Sequence, residues 1–291
     1  MMIRTLIVCA ILLLSGTNLL PVFAEEPVAF ALFDKAGKPV KFSKMSASLM
    51  ASDVVFFGEL HNNAIAHWLQ LRLTQAAFAV KGKQLLLAAE MFEADNQSGM
   101  DEYLAGKIDE KKFAEKVRLW PNYSTDYKPL VDFAKDNGLR FICANIPRKY
   151  ASLVYKKGVD SLMVISPEEK AWIAPLPFPY DANVGSYKRM IELSGGHGGE
   201  NMPKSQAIKD ATMAHFISTN FKPGNFCIHF NGSWHSDDWE GILWYMKHYE
   251  PKLKLATITT VQQKNPLKLE KENKGRADYV LVVAEDMTNT H

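Results

Sequence analysis

Cysteine is scarce in this chain: three in 291 residues, at positions 9, 143 and 227. That excludes the densely cross-linked scaffolds of small exported domains. No Walker loop occurs, and no glycine fingerprint follows a strand-like run, so the common phosphate cradles are excluded too. Ser194-Gly195-Gly196-His197-Gly198-Gly199 has the glycine, but it follows a helical pattern. Ser233 lacks a nucleophile-elbow sequence, and neither Cys143 nor Cys227 has a reactive context. No basic tract interleaved with aromatics is present and the formal net charge is only +2, which argues against a nucleic-acid partner. The lysines of 264–274 alternate with Glu270 and Glu272 and read as a solvated surface. No internal repeat or low-complexity tract is found.

What is present begins with a leader. Arg4 supplies a positive start, residues 6–14 a short apolar run, and Val22-Phe23-Ala24 a small-residue cleavage site before Glu25. The run is too short to span a bilayer comfortably. Cys9 follows Val8, where a lipid-acceptor cysteine calls for a small residue. The sequence therefore predicts residues 1–24 as a signal peptide, a mature domain over 25–291, export to the periplasm or envelope, and no lipid anchor.

With 47% hydrophobic residues, the mature chain can bury a large core. Six segments read as strands: 53–57, 84–88, 139–143, 225–230, 255–260 and 279–283. The first four are near-continuous apolar runs, the pattern of strands covered on both faces. Helical spacing over 64–80 and 95–137 separates the first three. Strand–helix–strand units of this length imply an α/β class with a parallel sheet flanked by helices. Helical insertions are expected at about 95–137 and 166–219, with helices near 168–173, 184–193 and 204–219. Cys143 and Cys227 lie inside strand runs and read as small buried hydrophobes.

In a parallel sheet the carboxyl ends of the strands face one crevice, where ligands bind. The first strand ends on Gly58-Glu59-Leu60-His61, with His67 in the next helix; the second ends on Glu90. The third reaches Asn145 and Arg148, and the fourth passes Asn231-Gly232-Ser233 to His235. Carboxylates with imidazoles suit a divalent metal held by Glu59, His61, His67 and Glu90. They equally suit acid–base catalysis by Glu59, His61, Glu90 and His235. The third reading is a purely structural polar pocket, with Asn145, Arg148 and His235 bracing the loops. Asp237 and Asp238 are expected to cap a helix over 239–249.

The insertions carry Trp120, Tyr123, Tyr127, Phe178, Tyr180, Tyr187, Met190 and Met202 among prolines and broken periodicity. Such a stripe is ordinarily core; it is also what a flat apolar cofactor needs, and Tyr is an axial ligand type for ferric haem.

The order and spacing of several blocks resemble the ChaN-like haem-binding proteins of haem-iron uptake, from Val54 to about Leu243. The blocks are Gly58-Glu59-Leu60-His61 with His67, Glu90-Met91-Phe92 with Gln97, Tyr127-Lys128-Pro129-Leu130, and Ala144-Asn145-Ile146-Pro147-Arg148. Gln206-Ala207, 209–214 and Gly232 with His235 follow. The resemblance implies a parallel-sheet domain with a helical domain, and haem held between the two subunits of a homodimer. It further implies a Tyr iron ligand from one subunit, and a His and a Lys from the other at the propionates. Tyr127, in a matching block, is the first candidate ligand and Tyr187 the second; His197 and Lys204 are the candidates for the propionates. An outer-membrane haem receptor is the partner so implied. Gly-Glu-x-His is also similar to erythromycin-esterase-like and TraB/TIKI-like proteins, which implies a metal-dependent hydrolase as the alternative function. A partner-binding subunit is the third.

Overall fold

The computed structural model describes residues 26–195 and 197–291; the predicted signal peptide lies outside the described residues. Seven strands form one sheet in the order β1-β7-β6-β2-β5-β3-β4. They are β1 (Phe30–Asp34), β2 (Val54–Glu59), β3 (Leu85–Glu93), β4 (Arg140–Asn145), β5 (Phe226–Gly232), β6 (Leu255–Gln263) and β7 (Tyr279–Ala284). All neighbours run parallel except β1, which pairs antiparallel with β7 through Leu32 and Leu281. The α/β class with helices on both faces is as the apolar strands predict.

Strand pleating divides the core in two. Val55 and Phe57 of β2, with Leu85, Leu87 and Ala89 of β3, face α1 (Phe42–Leu49), α2 (Ala64–Lys81), α3 (Gln97–Leu104), α4 (Glu110–Lys116) and α5 (Lys128–Asp136). Val54, Phe56, Leu86 and Ala88 face the other way. There they meet α6 (Arg148–Lys157), α8 (Gly185–Leu193), α9 (Asn201–Asn220) and α10 (Ile242–Tyr249), while the short α7 (Pro167–Lys170) buries none of its residues. Each fully buried Leu or Phe in these layers contributes about 1.5–3 kcal/mol of hydrophobic stabilisation.

Three differences from the sequence reading matter. Strand β1 is a seventh strand beyond the six expected, a five-residue edge strand that holds the end of the apolar run Val28–Phe33. Strand β3 runs to Glu93, because a shift of register against β4 between Ala89 and Glu93 lets it continue past Glu90. Such irregularities re-aim side chains at strand ends. Third, Asp237 and Asp238 do not cap α10, which starts at Ile242 behind Gly241 (φ 55°). Asp237 is buried, pairing with Arg276 and accepting from Thr259, while Asp238 pairs with Arg189. Their carboxylates are spent on loop closure.

Local chemistry fixes the two ends of α2. Asn63 caps α2, its side chain accepting from the Ala66 N–H at 3.0 Å. Gly82 stops the helix in a left-handed φ of 53°. Cys143 and Cys227 are buried and free.

Candidate functional site

Strands β2 and β3 flank β5, and their carboxyl ends bring Glu59, Glu90 and Gly232 together. Glu59 points to the α2 side. Its carboxylate accepts from the Gln70 amide (2.5 Å), the Tyr127 hydroxyl (2.8 Å) and His61 Nδ1 (2.9 Å). Tyr127 comes from a single π turn, Tyr123–Tyr127, that also supplies Asp126. Turns of this kind recur at functional sites. His67 lies beneath, Nδ1 3.3 Å from Gln70 Oε1 and Nε2 3.3 Å from Asp126 Oδ2. Thr290 Oγ1 donates to the same Asp126 oxygen at 2.6 Å.

Glu90 points to the α9 side. Its Oε2 accepts the Gly232 N–H at 2.7 Å, and its Oε1 lies 3.2 Å from His235 Nε2. The other nitrogen of His235 meets Asp210 Oδ1 at 2.5 Å, and Asp210 Oδ2 accepts from the Tyr187 hydroxyl at 2.9 Å. Burial disfavours the charged His235, but Glu90 and Asp210 outweigh it and push its pKa up to about 10. Burial likewise works against the Glu90 carboxylate, and the His235 charge overcomes it, holding Glu90 well below the usual range. His235 is thus an imidazolium clamped between two carboxylates.

His61 joins the halves. Its Nδ1 donates to Glu59, its Nε2 packs on Gly232, and its side chain is 40% exposed. A methyl group added to Gly232 would lie 2.7 Å from Nε2, so this position requires glycine for the ring to sit where it does. Burial lowers the affinity of His61 for a proton, yet the Glu59 hydrogen bond and the Glu90 charge raise its pKa above the ordinary value. The ring opens on a cleft of about 1020 Å³ walled by Trp120, Arg148, Trp234 and His235. An arm of about 570 Å³ shares His61, Trp120, Arg148 and His235 and adds Glu90, Asn145 and Lys209.

The structure therefore gathers Glu59, His61, Glu90, Asn145, Arg148 and His235 at one crevice. His67 is brought near but lies buried behind Glu59. The metal set of Glu59, His61, His67 and Glu90 does not form: among the described residues no group of three or more His, Cys, Asp or Glu could hold a metal ion. The two glutamates point to opposite faces of the sheet, and protein donors occupy their oxygens.

The tyrosine expectations need correcting in position. Tyr127 and Tyr187 are buried at 1% exposure, each donating its hydroxyl to a carboxylate. Burial and then the adjacent acid push both phenols far above their usual pKa. Neither is placed to shed its proton and meet an iron from outside. His197 is exposed in the turn between α8 and α9. Lys204, in the first turn of α9, is 3.6 Å from Glu200; neither residue lines the cleft or its arm.

Asp210, Asp126 and Gln70 were missed as site residues. Asp210 carried a readable signal, being a lone acid inside the buried stripe Ala207, Ile208, Ala211 and Ala214 of α9. Gln70 and Asp126 carried none. His229 of β5 is buried with neither nitrogen partnered, and burial drives its pKa down to about 3.

Comparison with known proteins agrees with this architecture. The family model described as "Haem-binding uptake, Tiki superfamily, ChaN" matches residues 45–246. Among solved structures, ChaN of Campylobacter jejuni, described by its cofacial haem binding, superposes with a TM-score of 0.66 at 18% identity. That match covers 88% of this chain and 97% of the other, and it shows the shared fold. The Arabidopsis thaliana chloroplast protein RETICULATA-RELATED 5 is 22% identical over 214 residues, 66% of this chain and 29% of that protein. The chain thus spans less than a third of that relative's length. With the model matching more than half of its residues, the chain belongs to the ChaN family of haem-binding uptake proteins.

Proposed function

We propose that this protein is exported and binds haem at an interface between two of its own subunits, carrying or storing it during iron acquisition. The family match over residues 45–246 carries the reading. The surface supports it. Met163, Val164, Ile191 and Leu193 are exposed on the helical side, Val164 at 87%, on segments packed around α9. A planar apolar cofactor shared by two copies would cover such side chains. Tyr155 on α6 is 47% exposed and supplies the accessible phenol that Tyr127 and Tyr187 do not. In this reading His197 and Lys204, both on the accessible face of the insertion, meet the propionates, and delivery is to or from an outer-membrane receptor.

Hemin titration of the mature chain tests it. A saturable Soret shift is expected, weakened or moved by Tyr155→Phe and kept by Tyr187→Phe. Absence of any saturable shift would sink the proposal.

A second reading has one geometric observation in its favour. Glu59 fixes the His61 tautomer through Nδ1 and leaves Nε2 at a large cleft, the orientation of a general base. His61 would take a proton from water as the oxygen adds to an acyl centre, then return it to the leaving group. Turnover of a chromogenic ester by metal-stripped protein, abolished in His61→Ala, is the expected result; no turnover above buffer removes this reading.

A further inference from the structure

The inner arm of the cleft holds two cations with nothing to neutralise them. Arg148, the first residue of α6, is exposed and lines both the arm and the main cleft. Lys209 of α9 lines the arm from the facing helix. Neither makes an ion pair among the described residues. The acids nearby are already engaged: Glu90 by His235 and the Gly232 N–H, Glu93 by Arg118. Lys149, next in sequence to Arg148, is spent on Glu169.

A buried group points to the same place. Asn145, at the end of β4, is only 9% exposed and lines the arm. Its side-chain oxygen accepts the Ile146 N–H at 2.9 Å, which leaves the amide nitrogen without a protein partner. That nitrogen is not sealed from the arm, so an acceptor bound there can take its N–H. Ser152 and Tyr155 add hydroxyls to the wall. The groups left free are therefore donors and positive charges. An oxyanion would satisfy all of them, the guanidinium in a fork and the ammonium as a point charge.

We propose that this arm is a binding site for a small free carboxylate or phosphate. Asn145, Arg148 and Lys209 hold the oxyanion. The remainder of such a ligand extends past His61 into the wide cleft. Tyr155, the phenol assigned to haem, borders the arm, whereas none of the exposed apolar side chains at 163, 164, 191 and 193 lines it. The inference rests on the arm alone and stands whether or not haem binds.

Inorganic phosphate and succinate are the probes, titrated by calorimetry into haem-free protein at constant ionic strength with chloride as the control. Saturable binding of at least one probe is expected. The double variant Arg148→Ala/Lys209→Ala should raise Kd about tenfold or more, the scale of losing a charge-assisted hydrogen bond. Both residues are at the surface of the arm, so an unchanged far-ultraviolet spectrum and melting point check the fold. Asn145→Ala should weaken binding less and in the same direction. The arms of the test separate phosphate from carboxylate by which probe binds more tightly. No binding beyond chloride, or equal binding by wild type and double variant, overturns the proposal. Displacement of the bound probe by stoichiometric hemin overturns the arm as a site for a free ligand.

Discussion

Glu59 and Glu90 end strands that flank the same neighbour, β5, yet their surroundings differ in kind. Glu59 is ringed by a phenol, a carboxamide and one imidazole, so most of its donors are neutral. Glu90 faces a clamped imidazolium with a second carboxylate behind it. The first half is a hydrogen-bond lattice in which shape and donor count decide stability. The second is an ionic triad in which charge decides. His61 alone spans both, because Gly232 lets its ring lie across the end of β5. One crevice thus holds a buried ionic triad next to a half-exposed imidazole aligned by a carboxylate.

The comparison breaks most visibly on the ionic side. Glu90→Ala strips the buried His235 imidazolium of one of its two acceptors and the Gly232 N–H of its carboxylate acceptor, at an expected cost of about 3–5 kcal/mol in urea unfolding. Glu90→Gln should cost nearly as much, since an amide restores the shape without the charge. On the lattice side, Glu59→Ala orphans the Tyr127 and Gln70 donors and should cost about 2–3 kcal/mol. Here Glu59→Gln should recover part of the loss, because its oxygen still accepts. Equal behaviour of the two Gln variants would erase the distinction.

Stability against pH sharpens it further. His235 is raised in the folded state, so its contribution is complete below its unfolded value near 6.5 and is lost as pH rises through about 10. Glu90 is lowered, so its contribution is present above its unfolded value near 4.5 and fades as pH falls toward its depressed value. The Glu90–His235 pair is therefore strongest between about pH 4.5 and 6.5. Melting temperature should decline from pH 6.5 toward 10, and that slope should flatten in His235→Gln. The smallest effect is expected at the junction. Gly232→Ala should displace the half-exposed His61 ring for about 1 kcal/mol, visible as a shifted imidazole resonance with little loss of melting temperature.

Much of the crevice was legible because parallel-sheet physics is strict. Apolar runs ending on Glu59, Glu90 and Asn145 had to deliver those residues to one edge, and they did. The family blocks at Gly58 to His61 and Ala144 to Arg148 fall at these same strand ends, so fold and resemblance were read from the same residues. Facing directions were not legible. Whether Glu90 points up or down its sheet depends on the register shift after Ala89, which no local pattern announces. Tyr127 and Tyr187 show the same limit. A tyrosine in an irregular, proline-flanked segment reads as available, yet both were drawn inward by buried acids, Glu59 and Asp210, that lie 68 and 23 residues away in the chain. Exposed Tyr155 sits in an ordinary amphipathic helix and carried no signal.

Sedimentation of the mature chain during a hemin titration, with the Soret band followed in the same cell, tests haem binding between subunits most directly. The account predicts a saturable band that appears together with a doubling of mass, both reduced in Tyr155→Phe. A band that saturates on a species of unchanged monomer mass, or no saturable band, would contradict it.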